Sequence, residues 1–118
     1  MGSRRDTLTL VELLAEKQAA YSARMRQFEE AIQRLYASAK TNRQDQQILA
    51  RRVRALRKLE SMHSRLKDRQ FVGEARLLEI KEQRLEVERE YFLAQNRERE
   101  IRHEAAETEA ERMAFSKD

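Results

Sequence analysis

The stretch Tyr36-Ala-Ser-Ala-Lys-Thr-Asn-Arg-Gln-Asp-Gln-Gln47, YASAKTNRQDQQ, decides how the chain is built. It contains neither glycine nor proline, the residues that usually punctuate a chain. It nevertheless interrupts a regular apolar pattern. Upstream, Val11, Gln18, Met25, Ile32 and Ala39 recur every seven residues, and Leu14, Tyr21, Phe28 and Leu35 form the complementary set. That is the a/d seam of a helix that packs against a partner helix. Continuing the heptad puts Asn42 and Gln46 in the seam, and the apolar signal lapses. Thr41 with Gln44, and Asn42 with Asp45, have capping-box spacing, so the stretch reads as a second helix start.

The chain is therefore expected to be all-α: a two-helix antiparallel coiled-coil hairpin with a longer, protruding second helix. The expected boundaries are a flexible N-terminus over 1–8, helix one over 9–40, a turn over 41–43 and helix two over 43–115. Thr9 and Glu12 supply a capping box for helix one, and Leu8 and Leu13 a hydrophobic staple. Folding near Thr41 places Leu35 opposite Leu49, Phe28 opposite Leu56, Met25 opposite Leu59, Tyr21 near Met62, and Gln18 opposite Leu66. The predicted hairpin seam is thus Val11, Leu14, Tyr21, Met25, Phe28, Ile32 and Leu35 against Leu49, Val53, Leu56, Leu59, Met62 and Leu66. Leu56, Leu59 and Met62 step by three and three, a stammer that overwinds a coiled coil.

In that register residues 43–72 pair with helix one. Gly73 marks the end of the paired region, and 74–115 form an overhang. The overhang carries a wide apolar face. Phe71, Leu78, Leu85 and Phe92 repeat every seven residues, and Leu77, Ile80, Val87, Tyr91 and Ala94 lie beside them. A face of that width contacts more than one neighbour. Phe71, Leu77, Leu78, Ile80, Leu85, Val87, Tyr91 and Phe92 are the predicted partner face, for a protein partner or for self-association.

Composition agrees with thin helix–helix seams. Ala, Glu, Lys, Leu and Arg supply 70 of 118 residues, and there is no Pro, Cys or Trp. The absence of cysteine excludes disulfides and thiolate metal sites. No apolar run approaches a membrane span, so no membrane insertion and a cytoplasmic location are expected. Charge is uneven: net +1 over residues 1–39, +7 over 40–70 and −4 over 71–118.

Catalysis finds little support, and no cofactor is expected. His63 and His103 are forty residues apart. His103 and Glu107 share a helical face but lack the second histidine of the H-E-x-x-H zinc pattern. Arg51, Arg54, Lys58, Arg65 and Arg69 form a basic stripe on a helical wheel that could follow a phosphate backbone. The zipper that would accompany such a stripe fails at Gly73, and no base-reading asparagine precedes the arginines. Nucleic acid is the disfavoured reading, and a solvated helix flank the favoured one.

LVELLAEKQAAYSARM, from Leu10 to Met25, resembles the opening helix of the FliJ family of type III export stalk proteins. FLAQNREREIRHEAAETEAERMAF, from Phe92 to Phe115, is similar to the charged, Ala- and Glu-rich C-terminal helix of that family and its injectisome relatives. The resemblance implies a non-enzymatic stalk in the centre of a hexameric export ATPase, with the paired termini inserted in the ring. It also implies contact with the export gate or secretion chaperones. The alternative expectation is a self-associating coiled-coil scaffold or adaptor.

Overall fold

A computed structural model of the chain describes residues 2–69 and 73–117, with side chains from Asp6 onward. Two helices are formed among the described residues: α1, Gly2–Asp68, and α2, Glu74–Lys117. Both are rich in strong helix formers. The backbone of α1 closes with Arg69 N–H donating to the Leu66 carbonyl at 3.2 Å. The Gly73 carbonyl accepts from Leu77 N–H at 3.4 Å, so Gly73 occupies the cap position of α2. Arg65 and Lys67 stand in the last turn of α1 and Glu74 in the first turn of α2, each of favourable sign for the helix dipole.

The expected helical hairpin is present, but 41–43 is helical, α1 ends at Asp68 and α2 begins at Glu74, and the longer helix is the first. α1 runs unbroken through the opening stretch. It also begins at Gly2, so residues 2–8 are helical, and Thr9 and Glu12 lie inside the helix instead of capping it. Leu35 and Leu49 sit on one helix, as do Phe28 and Leu56, and cannot face each other as an antiparallel pair.

The fold divides into two compact units, one of Met1–Tyr36 with His103–Asp118, the other of Ala37–Arg102. In each, a stretch of α1 pairs with a stretch of α2. In the second unit, Lys67 meets Glu74, Glu60 meets Arg84, Arg52 meets Glu90 and Gln46 meets Glu98. Each step back along α1 is matched by a step forward along α2, which is antiparallel pairing.

The heptad of α1 keeps its phase through the whole helix. Its inward positions run Met25, Phe28, Ile32 and Leu35 in the first unit, then Ala39, Asn42, Gln46, Leu49, Val53, Leu56, Glu60, His63 and Lys67 in the second. There is no stammer. Leu59 is only half-buried beside Glu60, while Met62 and Leu66 are exposed. α2 answers with Leu77, Ile80, Arg84, Val87, Tyr91, Ala94, Glu98 and Ile101 in the second unit, and Ala105, Thr108, Arg112 and Phe115 in the first. Among the described residues the buried ones are Phe28, Ile32 and Ala105 in the first unit and Val53, Ile80, Val87 and Ile101 in the second.

Four of the residues assigned to a partner face, Leu77, Ile80, Val87 and Tyr91, are therefore inward residues of the chain's own seam. α1, not a second protein, covers them. Val11 and Leu14, assigned to the seam, are exposed. The acidic end of α2 stays helical to Lys117, with Phe115 stacked on Tyr21 at 5.2 Å between ring centroids.

A candidate protein-docking surface

Polar residues in the seam of the second unit are satisfied by partners across it. Gln46 Nε2 donates to Glu98 Oε2 at 2.8 Å and to Asn42 Oδ1 at 2.6 Å. Arg43 Nε reaches the other Glu98 oxygen at 3.1 Å. Gln46 and Arg43 together hold the Glu98 carboxyl below its ordinary range. Nearer the turn, Arg84 pairs with Glu60 across the seam and with Glu88 one turn along α2, at 3.1 Å. Arg57 Nη2 donates to the same Glu88 oxygen at 2.8 Å. Arg57 foremost, then Arg84, lowers the Glu88 pKa, and the Glu60 carboxylate raises that of Arg84. His63 Nδ1 donates to the Leu59 carbonyl at 2.9 Å, turning its ring back onto its own helix.

The uneven charge of the sequence is resolved by this pairing. Arg43, Arg52, Arg57 and Lys67 of the basic segment bind Glu98, Glu90, Glu88 and Glu74 of α2. Exposed pairs of this kind contribute about 0–1 kcal/mol each, so they set register more than stability. The predicted basic stripe makes none of these contacts. Arg51, Arg54, Lys58, Arg65 and Arg69 are all exposed, and among the described residues none of the five forms an ion pair.

With the inner seam closed, a second apolar line remains outside it. Leu78, Leu85 and Phe92 each follow an inward residue, Leu77, Arg84 and Tyr91, and so stand about 100° round the helix from the seam. They are 58%, 54% and 62% exposed. Phe71, the fourth residue of that line, lies outside the described residues. Phe92 and Tyr91 line one wall of a groove of about 280 Å³ whose other wall is Ala50, Val53, Arg54 and Arg57. Arg54 is the stripe residue brought to this apolar line. Arg65 and Arg69 instead flank Met62 and Leu66 on α1. The opposite side of the hairpin has a more acidic groove, between Arg52, Ala55 and Leu56 of α1 and Gln83, Glu86 and Glu90 of α2.

In the first unit, Phe115 also meets Phe28 at 5.7 Å between centroids, and Arg24 lies 4.7 Å over the Phe28 ring. The Tyr36 hydroxyl donates to Glu109 at 2.7 Å, and that carboxylate raises the phenol pKa. His103 pairs with Glu107 at 3.0 Å on an exposed face. Among the described residues no group of three or more His, Cys, Asp or Glu is placed to hold a metal ion, and no helix is long and apolar enough to cross a membrane.

Sequence reasoning missed the Gln46–Glu98 layer and the Glu60–Arg84–Glu88–Arg57 cluster. The signal was available. The α1 heptad carried on through polar residues reaches Glu60, and the α2 heptad carried through Arg84 reaches Glu98, so polar positions fall opposite polar positions. Compared with protein-family models, curated proteins and solved structures, the chain matches none.

Proposed function

We propose that the chain is a non-enzymatic coiled-coil subunit that works by protein–protein contact, as a FliJ-like central stalk or escort component of a type III export ATPase. One observation carries the contact reading. Leu78, Leu85 and Phe92 stay open on a helix whose inward face is already filled by α1. An apolar line at heptad spacing beside a basic edge marks an interaction site. The stalk assignment is supported by the resemblance of the first and last helical segments to that family. It is also supported by the pairing of the Tyr21 to Tyr36 part of α1 with the end of α2 in one compact unit.

The deciding experiment is Leu85→Asp with Phe92→Asp in the full chain, with binding to a purified hexameric export ATPase and to its secretion chaperones as the readout. The reading expects loss of binding with unchanged helicity. Binding that survives the double substitution removes this surface from the reading, and a wild-type chain that binds neither component removes the stalk assignment.

A further inference from the structure

A separate surface lies in the first unit. Leu8, Leu10, Val11, Leu13 and Leu14 are all exposed, Leu14 by 64%, and no described residue of α2 stands opposite them. They continue an interface that exists. Stepping back from Ile32, Phe28 and Met25 by the same alternation of four and three gives Tyr21, Gln18, Leu14, Val11 and Thr7. The stripe that α2 covers beyond Tyr21 is therefore the stripe left open before it.

We propose that this segment, Thr7 to Gln18, pairs antiparallel with the same segment of a second copy. Orientation follows from the lane occupied by α2. A second α1 running parallel to the first would be carried into the position where Phe115 stacks on Tyr21 and Phe28. An antiparallel copy runs in the same sense as α2 and extends its lane.

The segment is also complementary to itself in that direction. Antiparallel coiled coils place the first seam position of one helix opposite the second of the other. Val11 then faces Leu14 of the second copy and, by two-fold symmetry, Leu14 faces its Val11. Thr7 and Gln18 face each other on both sides. Apolar layers lie in the middle and polar layers at the rims, as in an isologous interface. Of the flanking positions Leu8, Leu10, Ala15 and Lys17, only Lys17 is charged, and its aliphatic stem lies against Leu10 of the other copy. Glu12 and Glu16 fall on the outer face, so no acidic pair opposes the contact.

This surface is independent of the line at Leu78, Leu85 and Phe92, and so is its test. Sedimentation velocity of the full chain across a hundredfold concentration range should show a monomer–dimer equilibrium. Val11→Asp with Leu14→Asp should abolish it while the helical circular dichroism is retained. Leu85→Asp with Phe92→Asp should leave it intact. The chain has no native cysteine. A Val11→Cys chain mixed with a Leu14→Cys chain should therefore form the mixed disulfide at least several-fold faster than Leu14→Cys alone forms its own. A monomer at every concentration overturns the proposal. So do preferential Leu14→Cys homodimers, which report parallel pairing, and a dimer lost only through Leu85 and Phe92.

Discussion

The side chain of Gln46 on α1 donates to the carboxylate of Glu98 on α2 at 2.8 Å, and this contact explains why the polar stretch is helix and not turn. A polar residue in an apolar seam weakens it only when it is left without a partner. Here Gln46 and Arg43 converge on one acid while Gln46 also donates to Asn42, and the layer fixes register in the way polar seam residues do. Glu98→Leu should therefore lower the denaturation midpoint, since Gln46 and Arg43 lose their shared carboxylate across the seam. Adding Gln46→Leu should restore it, and it should also weaken the uniqueness of register, read as broadened amide resonances. A Glu98→Leu chain as stable as the parent would remove the layer from the account.

A continuous α1 makes a sharper demand at Thr41. Proline there deletes an intrahelical hydrogen bond and clashes with the preceding turn, at a cost of about 3 kcal/mol. Thr41 is exposed, so the loss would report helix continuity and not packing. Thr41→Pro should lower stability by about that amount in chemical denaturation. A turn at 41–43 would tolerate it.

Ile80 and Leu85 are close in sequence on α2 and opposite in burial. Ile80 has no exposed surface, and Leu85 is more than half exposed. Ile80→Ala should cost roughly 2–5 kcal/mol, the range for emptying a packed site. Leu85→Ala should stay within about 0.5 kcal/mol, as expected of a surface position. The two values should be measured on the same protein by urea titration, and equal losses would contradict the seam described here.

Acid should loosen the hairpin. Glu88 and Glu98 have folded pKa values below their ordinary 4.5, so the unfolded chain binds protons more readily. Their contribution is present above pH 4.5 and is lost as pH falls through the lower folded values. Tyr36 behaves in the opposite sense. Its folded pKa lies above 10.0, so its contribution is complete below that pH and disappears as pH rises through the folded value. Thermal melts should show a plateau at neutral pH with a fall on the acid side that Glu88→Gln and Glu98→Gln together reduce. An acid limb unchanged by both substitutions would assign the loss to other carboxylates.

The basic stripe gives a prediction about nucleic acid. Arg51, Arg54, Lys58, Arg65 and Arg69 are exposed and form no ion pairs among the described residues, but no base-reading asparagine precedes them in the expected setting. Binding to duplex DNA should be sequence-blind and fall steeply with salt, because each phosphate contact releases counterions. It should vanish near physiological ionic strength and disappear when all five become Gln. Tight binding at that salt with a base preference would make the nucleic-acid reading the leading one.

The helical class, the hairpin and the inward apolar positions of α1 from Met25 to Leu56 were legible in residue order alone. A heptad on an all-helix composition leaves little else to build. The seven-residue repeat from Val11 to Leu35 is local information, and so is the repeat of Leu78, Leu85 and Phe92. The place of the turn was not local. Read singly, Asn42 and Gln46 look like an interruption, and Gly73 looks like a mild weakness in a longer helix. Only the tertiary structure brings Glu98 to Gln46 and Arg84 to Glu60, and so turns an interruption into a polar layer. It also decides that Gly73 caps α2, that Ile80 and Val87 are interior, and that Leu85 and Phe92 are not. The physical reason is that a buried polar group is costly or harmless according to its partner, and the partner here lies some fifty residues away along the chain.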